Sequence, residues 1–141
     1  MTMDPRFRFS SDTAEIDRAL VHRWLSEHAY WARGRSRATQ DAAIDGSRNF
    51  GVYEVDSGRQ VAYARVVTDG ATFAWLCDVF VDPEWRGRGI GVGLVAGVIA
   101  EFEPTVLRRM LLSTRDAHDL YAKFGFAPLD VPSKWMMRSG E

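Results

Sequence analysis

Residues Val79 to Gly91 read VFVDPEWRGRGIG, a stretch that joins a run suited to a buried strand to a glycine-rich turn and then to an apolar helix. Arg86 opens the turn. Gly87, Gly89 and Gly91 carry no Cβ to hold a ligand away, so several backbone N–H groups can converge on one phosphate. The partial positive charge at the N-terminus of the following helix adds to that attraction. The arrangement builds an anion site and points to a pyrophosphate-bearing cofactor.

Outward from this turn the chain reads as alternating strands and helices. Arg6 to Phe9 alternates charge and aromatic like an edge strand, and Ser10, Ser11 and Asp12 supply cap chemistry for a helix carrying Ile16, Leu20, Val21, Trp24 and Leu25 through Ala29. Gly34 and the interleaved Arg33, Arg35 and Arg37 break the pattern before a short helix near Ala38 to Ile44. Asn49 to Glu54, Gln60 to Val67 and Thr72 to Val81 read as three consecutive antiparallel strands, separated by turns at Asp56-Ser57-Gly58 and Thr68-Asp69-Gly70 and ended by Pro83.

The helix from Gly89 to Phe102 shows one stripe of Ile90, Leu94, Val98 and Phe102 and another of Gly89, Gly93 and Gly97; the second permits close approach to a sheet or a ligand. Val106 to Ser113 predicts a strand, Asp116 an N-cap for a short helix through Lys123 that stops at Gly125, and Phe126 to Leu129 and Trp135 to Arg138 the last strands. The expectation is one domain over residues 1–141, mixed α/β (α+β), with a largely antiparallel twisted sheet of about six to seven strands and about four helices.

Composition narrows the function. With 46% hydrophobic and 26% charged residues the chain is globular in balance, and its formal net charge of −1 gives no general attraction to nucleic acid or an acidic membrane. Any anion binding must be local. The single Cys77 cannot form an internal disulfide, no zinc-type Cys/His spacing occurs, and neither an export signal nor a membrane span is apparent, so a reducing cytoplasm fits and no metal is expected.

Gly91-Val92-Gly93-Leu94-Val95-Ala96 formally satisfies the dinucleotide fingerprint GxGxxA, but it lies too far beyond its strand and too little chain follows Asp116 to complete that fold. A Walker loop fails for want of Gly-Lys-Ser/Thr. Arg86-x-x-Gly89-x-Gly91 after a strand ending in Val-Asp-Pro is more distinctive: it resembles the acetyl-CoA signature of the GNAT superfamily of N-acetyltransferases. The segment DLYAKFGFAPL, Asp119 to Leu129, resembles that superfamily's second motif, and the clear match runs from Thr72 to Leu129. HRWLSEHAYWARGR and STRDAHDLYAKFGFAPL further resemble small bacterial members of unassigned substrate.

The resemblance implies a GNAT-like fold and acetyl-CoA (coenzyme A) as cofactor. It implies that Arg86, Gly87, Arg88, Gly89, Ile90 and Gly91 wrap the pyrophosphate mainly through backbone N–H groups, and that Val79, Phe80 and Val81 present main chain to the pantetheine arm. Phe124 would pack beside the cofactor or under the helix. Thr114 stands where many members have asparagine, and it would replace that hydrogen bond only in part. Tyr121 matches the tyrosine that protonates the departing thiolate; a phenol near pKa ~10 facing a thiol near ~8.5 does this only when well positioned.

At the third strand, members place acidic or histidine residues where this chain has Trp75, Cys77 and Asp78. Asp78 is the carboxylate of the three and is the candidate for amine binding or proton relay, unless alternation along the strand turns it away to pair with an arginine. Cys77 has no matched His/Asn arrangement, and buried cysteine is usually an apolar filler. His28, Tyr30, Trp31 and Arg35, from the first helical pair, would wall the acceptor site with Trp75 and Cys77. The expected reaction is direct acetyl transfer to a primary amine of a small molecule in a ternary complex. The alternatives are a non-catalytic acyl-CoA sensor and a protein lysine or N-terminal acetyltransferase. No nucleic-acid or membrane partner is expected, and a homodimer is an assembly the resemblance allows.

Overall fold

The computed structural model describes residues 3–105 and 107–140. Strand β1 spans Phe7–Ser10, helices α1 and α2 span Arg18–His28 and Arg37–Asp45, and strands β2, β3 and β4 span Arg48–Glu54, Gln60–Thr68 and Phe73–Val81. Helix α3 covers Ile90–Phe102, β5 Arg109–Leu111 and α4 His118–Ala122. The five strands form one sheet in chain order, antiparallel from β1 to β4, with β4 and β5 parallel. A parallel pair needs a crossover, and α3 supplies it.

Caps set the helix starts. The carboxylate of Asp17 accepts from Leu20 N and the hydroxyl of Ser36 from Thr39 N, which starts α1 and α2 where an orphan donor finds a side-chain oxygen. Asp12 caps only the single turn Thr13–Glu15. The sheet lies between two apolar layers. Leu20, Val21, Trp24 and Leu25 of α1 pack with Ile44, Tyr63 and Phe80 on one side, and Ile90, Leu94, Val95, Val98 and Phe102 of α3 pack with Phe50, Val52, Ala64 and Leu76 on the other. Central strand β3 is therefore buried on both faces, which is why Gln60–Ala64 reads as a continuous buried run.

Of the glycine stripe Gly89, Gly93 and Gly97, the last two face protein. A Cβ built on Gly97 would sit 2.6 Å from Cδ2 and Cε2 of Phe9, and one on Gly93 would sit 2.5 Å from Met3 Cε. Gly97→Ala gains about 1 kcal/mol of helix propensity. It also displaces a ring, at about 1–3 kcal/mol. A melting temperature a few degrees lower is the expected net result, read by thermal denaturation.

Among the described residues the sheet has five strands, not six or seven. Phe126 to Leu129 and Trp135 to Arg138 carry no strand, and among the described residues after α4 only the turn Pro132–Lys134 is regular. The segment's apolar residues do not alternate into a paired register: Trp135 is 40% exposed, and Met136 and Met137 are 98% and 87% exposed. Strand β5 is confined to three residues of the expected Val106 to Ser113, of which Val106 lies outside the described residues. The last helix starts at His118 with Ala117 as its N-cap and no side-chain cap, so the expected cap Asp116 does not serve; the hydroxyl of Thr114 accepts from Ala117 N just ahead of it. Gly125, at φ 88°, follows it.

Candidate active site

Two departures from regular pairing open a cleft at one end of the sheet. Between β3 and β4 the register passes from Tyr63↔Phe80 to Arg65↔Cys77, so one residue of β3, Ala64, stands opposite two of β4 and the strand bulges at Asp78 and Val79. Between β4 and β5 pairing ends at Trp75↔Leu111. Past that point the strands part, leaving that side of Leu76–Val81 without a strand partner. The cleft between them has a volume of about 790 Å³ and runs from the α1–α2 loop, past β4 and the segment 112–117, to the turn before α3.

The turn forms one mouth of the cleft. Asp82 ends β4, accepts from Glu84 N at 2.9 Å and starts the turn Pro83–Trp85. Gly87 and Gly89 then adopt φ of 80° and 77°, a region that L side chains reach at a cost of about 1–2 kcal/mol. A Cβ on either would meet no protein atom within 4 Å, so both glycines serve the backbone path and not packing. Among the described residues no backbone N–H from Arg86 to Gly91 donates to a protein acceptor. Several amide donors at the start of a thirteen-residue helix therefore open on the cleft, the donor set that suits a diphosphate.

Side chains in the turn behave less uniformly. Arg86 folds back, with Nε donating to Val81 O at 3.0 Å and its guanidinium 5.1 Å from the centroid of Phe80. Arg88 lies over the ring of Trp85 and does not line the cleft. Phe124 is not in the cleft either; it lines a separate groove with Phe126 and Leu107 and packs half-buried against the core that α3 shares with the sheet.

Tyr121 reaches the cleft from α4. It is 8% exposed and stands edge-on to Phe126 at 5.9 Å. Among the described residues its hydroxyl has no protein hydrogen-bond partner, and it is not sealed from solvent. Burial, then the neighbouring Tyr30 and Asp116, push its phenol up to about 12. Thr114 also lines the cleft, but its Oγ1 is engaged with Ala117 N at 3.0 Å. His28, Tyr30, Trp31, Trp75 and Cys77 gather at the other end. Burial raises the Cys77 thiol to about 11, so it is held as the neutral thiol at neutral pH and is a poor nucleophile.

Asp78 occupies the bulge at φ 54°, left-handed for a residue with a side chain, and its side chain is 1% exposed. One oxygen accepts from Trp31 Nε1 at 2.7 Å; the other accepts from Arg35 Nη1 at 2.8 Å and from Arg65 Nε at 2.7 Å. Burial alone would raise this carboxyl. The hydrogen bond from Arg35 and the charge of Arg65 outweigh it, and the pKa falls below the usual carboxylate value. Of the two expected arrangements, amine binding or proton relay on one hand and pairing with an arginine on the other, the geometry has the second: both oxygens of Asp78 are taken by protein donors. Arg35, expected as a wall of the acceptor site, stands behind Asp78 and also donates to Gln40 Oε1 at 2.9 Å.

Arg65 and Arg115 were not singled out in the sequence. Arg65 had a signal: a lone charge in the apolar strand QVAYARVVT, next to a strand with one lone charge of opposite sign, requires a partner. Arg115 had none. Its amide donates to Tyr30 Oη at 3.0 Å and its guanidinium lies 3.8 Å over the Tyr30 ring, joining the α1–α2 loop to the far wall of the cleft. Among the described residues no His, Cys, Asp and Glu side chains cluster as a metal site, and no helix is long and apolar enough to cross a membrane.

Comparison with known proteins agrees with this architecture. The sequence profile of the Acetyltransferase (GNAT) domain matches residues 46–128, more than half of the chain. A solved structure from Xanthomonas campestris pv. campestris, assigned to the GNAT family of acetyltransferases, is 45% identical; the match covers 99% of this chain and 96% of that one, with a TM-score of 0.91. Among curated proteins, one of Gibberella zeae assigned as an acetyltransferase is 35% identical over 72 residues, 50% of this chain and 41% of its own length. The mycothiol acetyltransferase of Rhodococcus jostii is 39% identical over 67 residues, 48% of this chain and 21% of its own length. The chain thus spans less than half the length of either curated relative. The family profile and the full-length structural match together show that this chain belongs to the GNAT family of acetyltransferases.

Proposed function

We propose that the protein is an acetyl-CoA-dependent N-acetyltransferase acting on a primary amine of a small molecule. One observation carries the reading: unpartnered amides of the turn from Arg86 to Gly91 open on the same cleft as Tyr121. The residues suit coenzyme A. Turn amides would hold the diphosphate, and the side of β4 that β5 leaves unpaired, Val79 to Val81, would take the amide-bearing arm. The bound thioester supplies an acetyl group: the amine nitrogen bonds to its carbon as the carbon–sulfur bond breaks, sulfur keeps the electron pair, and the proton lost by nitrogen balances the one sulfur acquires.

The chain's own groups orient and polarise. Main-chain N–H groups at the bulge near Val79 would donate to the thioester oxygen as it gains charge, and Tyr121 would donate to the departing sulfur. Asp78 would position Trp31 and not accept the proton of the amine. Calorimetry with acetyl-CoA, followed by thiol release across an amine panel, tests the proposal; no binding at millimolar acetyl-CoA removes it. The engaged carboxylate of Asp78 favours a second reading, a non-catalytic acyl-CoA sensor. Tight binding with no turnover on any amine would select that reading, and turnover with one amine would end it.

Gly89→Ala isolates the turn. Its Cβ would point into open space while the residue keeps φ 77°, so the fold loses only about 1–2 kcal/mol. The affinity for coenzyme A is expected to fall about tenfold or more, because the added Cβ stands on the cleft side and holds the diphosphate away from the turn amides. Calorimetry beside a thermal melt reads both effects.

A further inference from the structure

The acceptor end of the cleft concentrates cations on a chain whose formal net charge is only −1. Arg33 and Arg115 line it, and among the described residues neither stands within ion-pairing distance of a carboxylate. Arg35 and Arg65 behind them share the one carboxylate of Asp78. Asp116 is the other acid on the lining, so four guanidinium groups stand against two carboxylates. Two of the four are largely buried, where salt screens their field less than at an open surface. Tyr30, Trp31 and Trp75 supply the walls, with Tyr30 edge-on to Trp31 at 5.0 Å and the indole of Trp31 fixed by Asp78.

From this excess of guanidinium charge among aromatic walls we propose that the acceptor is a small primary amine carrying an anionic oxygen group, carboxylate or phosphate, on an apolar or aromatic body. The inference rests on the reading of this cleft as the acetyl-transfer site. Guanidinium forks match both oxyanions, and Arg33 and Arg115 are the two whose donors are not spent on a carboxylate. The same field acts on the reacting nitrogen. A positive potential disfavours an ammonium ion and lowers its pKa, which enlarges the neutral, nucleophilic fraction. The arginine cluster thereby does part of the work of a base that Asp78 is not placed to do. An amine with no anion of its own meets only the repulsion.

Trp31 and Trp75 make binding observable without turnover. Tryptophan emission, excited beyond phenylalanine absorption, is followed on titration with phenylalanine against phenethylamine and with phosphoethanolamine against ethanolamine, with and without coenzyme A. The anionic member of at least one pair is expected to bind about tenfold or more tightly, the worth of one charge-assisted contact. The pair that shows the ratio identifies the oxyanion. Arg33→Ala is expected to remove most of the ratio, chiefly by weakening the anionic member, with binding of the plain amine unchanged or slightly tighter. Equal or tighter binding of the plain amine in both pairs overturns the proposal, as does a ratio unchanged in Arg33→Ala and in the Arg33→Ala/Arg115→Ala double variant, or no saturable response to either anionic compound. Failure of coenzyme A to bind would remove the acetyl-transfer reading while leaving the ratio standing; a ratio of one with coenzyme A bound removes the anion preference alone.

Discussion

Asp78→Asn is expected to lower the unfolding free energy by about 3–5 kcal/mol, the cost of removing one partner from a buried ion pair. Arg35 and Arg65, whose side chains are 17% and 15% exposed, would be left facing each other with no counter-charge. Asparagine separates this electrostatic loss from backbone effects, because it tolerates the left-handed conformation held at φ 54° better than most side chains. Its amide also brings a donor into a site already filled by three. Chemical denaturation should show the midpoint falling with little change in slope. A loss under about 1 kcal/mol, the range of exposed pairs, would mean that water reaches these arginines.

The same substitution separates positioning from proton transfer. An Asp78 that orients Trp31 predicts a raised KM for the amine and a kcat within a few-fold of the parent; an Asp78 that accepts the proton predicts a collapse of kcat with KM little changed. The pH dependence of stability provides a second readout. The folded pKa of Asp78 lies below its unfolded value near ~3.9. Its contribution is therefore complete above about pH 4 and is lost as pH falls through the lower folded pKa. Asp78→Asn should be less stable than the parent at neutral pH and show a shallower further loss in acid.

The elements legible in the sequence were those with their own local signal. The alternation of β2 to β4 and the strand–turn–helix around Arg86 each rest on residues a few positions apart, whereas the cap of α1, expected at Ser10 to Asp12, lies at Asp17 because Asp12 starts only the single turn Thr13–Glu15. The family motifs likewise placed Tyr121, Thr114 and the turn on one cleft. What could not be read is non-local. Whether Asp78 faces amine or arginine depends on one extra residue in β4 relative to β3, a bulge that alternation alone does not reveal. Phe126 to Leu129 and Trp135 to Arg138 have strand-forming composition but no partner strand, and composition does not supply one.

Tyr121→Phe is expected to reduce kcat by about 10²- to 10³-fold, the cost of losing one donor aimed at developing charge. Stability and KM for acetyl-CoA should hold, because the ring keeps its contact with Phe126 and the hydroxyl adds no bond to the core. The magnitude follows from what this phenol can do. At a pKa of about 12 it stays protonated throughout an ordinary assay range, so a donor is always present. Complete transfer to a thiolate of pKa ~8.5 would be uphill by roughly 5 kcal/mol. The phenol therefore acts best as a hydrogen-bond donor to sulfur, with solvent settling the final proton. Two consequences distinguish this role from full acid catalysis: the kcat profile should show no alkaline limb from Tyr121 below about pH 10, and the Tyr121→Phe deficit should shrink with a donor whose leaving thiol is more acidic. A variant with unchanged kcat would place Tyr121 among the core side chains and move the stabilisation of sulfur to main-chain groups.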